Sequence, residues 1–157
     1  MMQPKREIKS LVKSFKNAFC GLSRVVRNER NFRIHSCFMV YVIFFSLVGH
    51  ISSSVFARFL ICFGMVMSAE LINTALELLC DAMSDKFDRR IRDIKDISAA
   101  AVLVAAVFSA AVGLFVFLSP SVFSEIVSRF FEKPWLFAAF LISLPFAVLF
   151  IVGGRKK

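Results

Sequence analysis

Charge is missing from three long stretches of this chain. Residues 34–51, 97–118 and 134–152 contain no Asp, Glu, Lys or Arg. Mean hydropathy is +0.73 and 58% of the 157 residues are apolar, too many for an ordinary soluble domain of one-domain size. Only four cysteines occur, Cys20, Cys37, Cys62 and Cys80. They are widely spaced, with no CxxC pair and no Cys/His cluster at zinc spacing. That excludes a disulfide framework, and they read as small apolar residues. Neither GxxxxGK[ST] nor the HRD and DFG signatures is present, which excludes the soluble kinase designs. Internal repeats and low-complexity tracts are absent as well.

The net charge of +9 could suggest nucleic acid, but the aromatics lie in apolar runs instead of among the bases. Anionic lipid head groups are the better partner for the charge, and no nucleic-acid partner is expected. No secretory signal is apparent either. The first apolar run begins near Ile34, after a basic segment, and no small-residue cleavage site follows it.

What is present is helical. Residues 1–33 carry nine basic and two acidic residues. Ile8, Leu11, Val12, Phe15, Phe19, Leu22 and Val26 recur at three- and four-residue intervals, predicting a basic amphipathic helix on the membrane surface. Spans are expected at 34–51 and 55–80, with a short turn at Ser52–Ser54, and at 97–118, where small residues favour close packing. His35 and His50, near the ends of the first span, read as interfacial residues. Residues 81–96 hold five acids and five bases, a water-facing connection that is partly helical. Residues 119–133 read as an amphipathic interfacial segment opened by Pro120, and 134–152 as a fourth span with a kink at Pro145. The fold class is therefore all-α, an integral membrane helical bundle. The N-terminal segment is net +7 and the tail Arg155–Lys157 is +3, whereas the 49–54 turn has no Lys or Arg and 119–133 is net zero. By the positive-inside rule both termini, and the 81–96 connection, face the cytoplasm.

One stretch contradicts the apolar pattern. In "AELINTALELLCD" the residues Glu70, Asn73, Glu77 and Asp81 fall at 0°, about 300°, about 340° and about 20° around a helix. All four share one face, with Glu70 roughly 16 Å from Asp81 along the axis. A carboxylate in a membrane costs a few kcal/mol or more. A polar seam that joins helices is one explanation. A site for a cation is the other: neighbouring carboxylates repel, and Mg²⁺ held by a few carboxylates and substrate phosphates would neutralise them. Two further clusters can join this face. "RNERNFRIH" offers Glu29, which could equally form an i,i+4 surface pair with Arg33. "DIKDISAAA" offers Lys95 and Asp96, which could equally be a helix-start charge pair.

The blocks "RNERNFRIH", "AELINTALE" and "IKDISAAAVLVAA" resemble, in order and spacing, three signature blocks of the prokaryotic diacylglycerol kinase family. That family includes the undecaprenol kinases typical of Gram-positive bacteria, toward which "ERNFRIH" and "AELINTA" lean. The resemblance spans about Leu11 to Leu118. It implies a surface helix and three spans per subunit in a homotrimer, with shared active sites at the cytoplasmic interface of the bacterial inner membrane. It implies ATP as co-substrate, Mg²⁺ as cofactor and a lipid alcohol as acceptor, undecaprenol before diacylglycerol. Carried over, Glu70 is the base, and Glu29 and Glu77 hold the metal and the ATP phosphates. Lys95 and Asp96 contact the nucleotide, and Asn73 supports the base, with Asp81 at the end of the stripe. In the connection, Lys86-Phe87-Asp88 replaces the family's Glu-Tyr-His-like triplet at the nucleotide, so Lys86 and Asp88 are the nucleotide-site candidates there. In the surface helix Asn17 stands where the family commonly has an aromatic, and Ser10 where it has a nearby Arg. On this reading 1–118 is the kinase unit and 119–157 an addition outside the family's usual length. The reading of a different class is a non-catalytic membrane subunit whose acidic seam binds a cation.

Overall fold

A computed structural model describes residues 4–83 and 88–154, with side chains from Ile8 onward. Six helices follow in chain order: α1 (Pro4–Asn28), α2 (Arg30–Val48), α3 (Ser53–Met83), α4 (Arg89–Phe117), α5 (Pro120–Glu132) and α6 (Pro134–Val152). Among the described residues, α2, α3, α4 and α6 are each long and apolar enough to cross a membrane. The expected amphipathic helix, three spans and fourth span are all present.

α1 carries its apolar residues on one face, and Ile8, Leu11, Val12, Phe15, Phe19 and Leu22 are all exposed. No described residue covers that face, as suits a helix lying on lipid. It runs unbroken through Gly21 and ends one residue before Glu29, which is extended (φ −99°, ψ 114°) and occupies the N-cap position of α2. The chain therefore bends at Glu29, and the first span begins at Arg30, four residues before the predicted Ile34.

α3 and α4 form the most extensive helix pair. Both outrun their predicted spans. α3 continues to Met83 and α4 begins at Arg89, so most of the described part of the 81–96 connection is helix. Polar residues beyond the lipid can extend a spanning helix because the backbone bonds stay internal. Ser53 and Ser54 belong to α3, so the predicted serine turn is displaced. The actual turn is Gly49–Ser52, where His50 has φ 48°. A Cβ on Gly49 would sit 3.1 Å from Ile126 Cγ1, so α5 packs closely on the end of α2.

α6 returns along α2. Phe140 makes an edge contact with Tyr41 and stacks on Phe44, and Tyr41 Oη lies 3.2 Å from Ser143 Oγ. The helix is assigned without a break through Pro145, and none of its residues is buried. Its outer surface is left for lipid.

Candidate active site

The α3 periodicity aims the polar stripe inward. Glu70, Asn73 and Thr74 are buried, Glu77 is half-buried and Asp81 is exposed near the end of the helix. Glu70 is the extreme case, at 2% exposure. Its Oε1 lies 3.4 Å from His35 Nε2 on α2 and has no hydrogen-bond partner. The imidazole is near enough to attract the carboxylate but lacks hydrogen-bond geometry. The site thus holds a buried acceptor with unused capacity.

Asn73 is fixed at both ends. Its Nδ2 donates to Glu77 Oε1 at 2.9 Å, and its Oδ1 accepts from Ser98 Oγ on α4 at 2.6 Å. The amide therefore orients one carboxylate of the stripe and ties α3 to α4. Farther along, Lys95 Nζ donates to Asp81 Oδ1, again from α4 to α3. Asp96 points elsewhere: Arg92 Nε approaches its Oδ2 at 3.6 Å, within one helix face. Asp88 caps α4, its Oδ1 accepting from the Arg90 N–H at 2.8 Å. Glu29 sits at the α1–α2 elbow, on another element from the stripe. Lys86 and Phe87 lie outside the described residues.

Among the described residues, no three or more His, Cys, Asp and Glu side chains gather into a ready-made metal cage. Mg²⁺ binds through one or two carboxylates and takes its remaining ligands from phosphates and water. The Asn73-oriented Glu77 carboxylate suits this chemistry.

The sequence reading had not singled out His35, Ser98 or Arg33 for the site. Read as an interfacial residue, His35 also faces the buried acid from a little over a turn into α2. Its position in an 18-residue stretch without Asp, Glu, Lys or Arg was the available signal. Beneath His35, α2, α3 and α4 frame a partly open cavity of about 440 Å³, lined chiefly by apolar side chains such as Phe38, Val42, Phe59, Phe63, Val66 and Phe117.

A buried carboxylate faces His35 at one end of an apolar cavity, and a polar chain leads from it toward the exposed end of its helix, an arrangement suited to an amphiphilic substrate. Residues 16–117 match the model for prokaryotic diacylglycerol kinase. The chain is 33% identical to the undecaprenol kinase of Bacillus subtilis over 114 residues, covering 73% of this chain and 93% of that one. It is 35% identical to the diacylglycerol kinase of Synechocystis over 112 residues, covering 71% of this chain and 64% of that one. No solved structure matches it significantly. The chain belongs to the prokaryotic diacylglycerol kinase family. It is a multi-pass membrane lipid kinase that uses ATP as phosphate donor.

Proposed function

We propose that this kinase phosphorylates the terminal hydroxyl of a lipid alcohol, undecaprenol in preference to diacylglycerol, with Glu70 as the base. The observation that carries the reading is the unsatisfied Glu70 Oε1, buried behind His35, which itself lines the apolar cavity. Oε1 would accept the hydroxyl proton. The freed oxygen bonds to the γ-phosphorus as the bond to the β–γ bridging oxygen breaks. The products are a lipid phosphate and ADP, and the proton remains on Glu70.

Phosphoryl transfer depends on positioning and charge neutralisation. Glu29 and Glu77 would hold Mg²⁺ together with the ATP phosphates, and the metal would supply that neutralisation. Asn73 orients Glu77. Lys95 and Asp96, with Lys86 and Asp88 from the connection, form the nucleotide side, and the Asp81 contact sets where the Lys95 ammonium stands. The subunit arrangement follows the family, a homotrimer with shared sites, residues 1–118 as the kinase unit and 119–157 as the addition. The basic N-terminal segment and tail support a topology with both termini on the cytoplasmic side of the bacterial inner membrane.

Two observations favour undecaprenol. The cavity lining beyond His35 is almost wholly apolar, which suits an isoprenoid chain better than the ester groups of a glyceride. The relative named undecaprenol kinase is also aligned over nearly its whole length. The test is a side-by-side assay in lipid vesicles, with labelled ATP, Mg²⁺ and either undecaprenol or diacylglycerol. Faster transfer to undecaprenol is expected. Preference for diacylglycerol would reverse the order, and transfer to neither would return the non-catalytic cation-binding subunit to consideration.

A further inference from the structure

Arg33 is one of the most buried charged side chains described, at 5% exposure, and its guanidinium is spent on backbone carbonyls. Nη1 donates to Val26 O at 3.1 Å and to Arg27 O at 3.0 Å. Nε donates to Ile151 O at 3.1 Å. These acceptors lie in the last turns of α1 and α6, where carbonyls have no partner within their own helix. Each such end carries the negative pole of its helix dipole, which a cation stabilises. One guanidinium therefore caps two helices that are more than a hundred residues apart in sequence.

The fit from α6 is close. A Cβ built on Gly154 would lie 2.1 Å from Arg33 Cζ, Nη1 and Nη2. A side chain at position 154 would push the guanidinium out of its present place. The rest of α6 is held in register by Tyr41 against Ser143 and by Phe140 against Phe44. α6 lies outside the segment that matches the family model. The elbow that Arg33 braces carries Glu29, two residues after Arg27 and four before Arg33.

We infer that the added C-terminal span is a positioning device for the nucleotide side of the site: α6, through its capped end and Gly154, holds Arg33 against the end of α1 and so fixes the elbow bearing Glu29. The inference rests on the proposed role of Glu29 toward Mg-ATP. Arg33 is a positioning residue here, acting through the elbow without touching the reacting atoms. The added span thus makes the elbow part of a three-helix junction, and its effect falls on Mg-ATP binding more than on the chemical step.

The test uses the full-length kinase in vesicles. Gly154→Ala and Gly154→Val displace the guanidinium from the α6 side, and they do so gently because it is the far end of a flexible side chain. Both should raise KM for Mg-ATP by about fivefold or more, a normal size for coupling between sites. The kcat and the KM for lipid should change much less. Arg33→Lys should raise the same KM, and Arg33→Lys combined with Gly154→Val should add little, because both remove one contact. Phe146→Ala, at an exposed α6 position, should behave as the parent. If both Gly154 variants keep the parent KM while Glu29→Gln raises it, the positioning role of α6 is wrong and the Glu29 reading stands. If Glu29→Gln also leaves KM unchanged, the underlying reading of Glu29 fails. Full additivity of the double variant would likewise overturn the inference.

Discussion

His35 Nε2 on α2 lies 3.4 Å from Glu70 Oε1 on α3, and the carboxylate atom it faces has no hydrogen-bond partner. The side chain of His35 is 23% exposed and that of Glu70 only 3%. The imidazole thus stands between the buried base and the more open part of the site. It restricts where the carboxylate can turn and leaves an acceptor for an incoming hydroxyl. His35→Gln keeps a nitrogen donor in reach, whereas His35→Phe removes it at similar volume. The glutamine variant should stay within a few-fold of the parent, and the phenylalanine variant should lose about tenfold or more in kcat, a fraction of what a general base contributes. Radiolabel transfer to undecaprenol measures both, and equal activity would dismiss the orienting role.

Glu70→Gln should separate activity from stability. The base is lost, so kcat should fall by about 10² to 10⁴. A buried acid is also lost, so the variant should unfold no more easily than the parent and melt at the same temperature or higher. A thermal melt in detergent beside the kinase assay checks both halves. A variant that is inactive because it is unfolded would not support the assignment.

The Ser98–Asn73–Glu77 chain predicts a graded effect. Ser98→Ala leaves Asn73 Oδ1 without its donor from α4 and should cost about 1 kcal/mol of stability. The loosened amide holds Glu77 less firmly, so KM for Mg-ATP should rise. Asn73→Leu should raise it further, and Ser98→Thr, which keeps the hydroxyl, should restore it. Initial-rate kinetics across Mg-ATP concentrations distinguish the four proteins.

Metal removal should abolish transfer without unfolding the bundle. The described residues contain no closed metal cage, and the helices pack through side chains that need no ion. Chelation should stop the reaction, excess Mg²⁺ should restore it, and helical circular dichroism should remain constant throughout. Loss of helical signal on chelation would point to a structural metal instead.

His50 is a site of stored strain, with φ 48° in the turn between α2 and α3. Side chains other than glycine resist this region by about 1–2 kcal/mol. The turn lies at the opposite end of the bundle from Glu29. His50→Gly should therefore raise the melting midpoint modestly and leave kinase activity unchanged, as a melt and an assay would show.

Local chemistry made much of this molecule readable in one dimension. Stretches without charge can cross a membrane only as structures that satisfy their own backbone, so three spans follow from the charge-free runs and a fourth from the long apolar run at 55–80. Helical periodicity places Glu70, Asn73, Glu77 and Asp81 on one face, and α3 presents them so. Helix ends were less legible, because α2, α3 and α4 extend past the apolar runs into polar sequence. Lys95 and Asp96 show a different limit. They are adjacent in sequence, yet Lys95 crosses to Asp81 while Asp96 stays beside Arg92 on its own helix.

The sequence by itself determined the class of fold, the acidic face and the family. It did so because hydropathy and helical period are properties of a single segment. Only the tertiary structure decided that His35 faces Glu70, that Ser98 steadies Asn73, and that Arg33 caps both α1 and α6. Each of those pairings depends on the rotation and height of one helix against another. Those are set by side-chain packing between segments far apart in the chain, which no local pattern encodes.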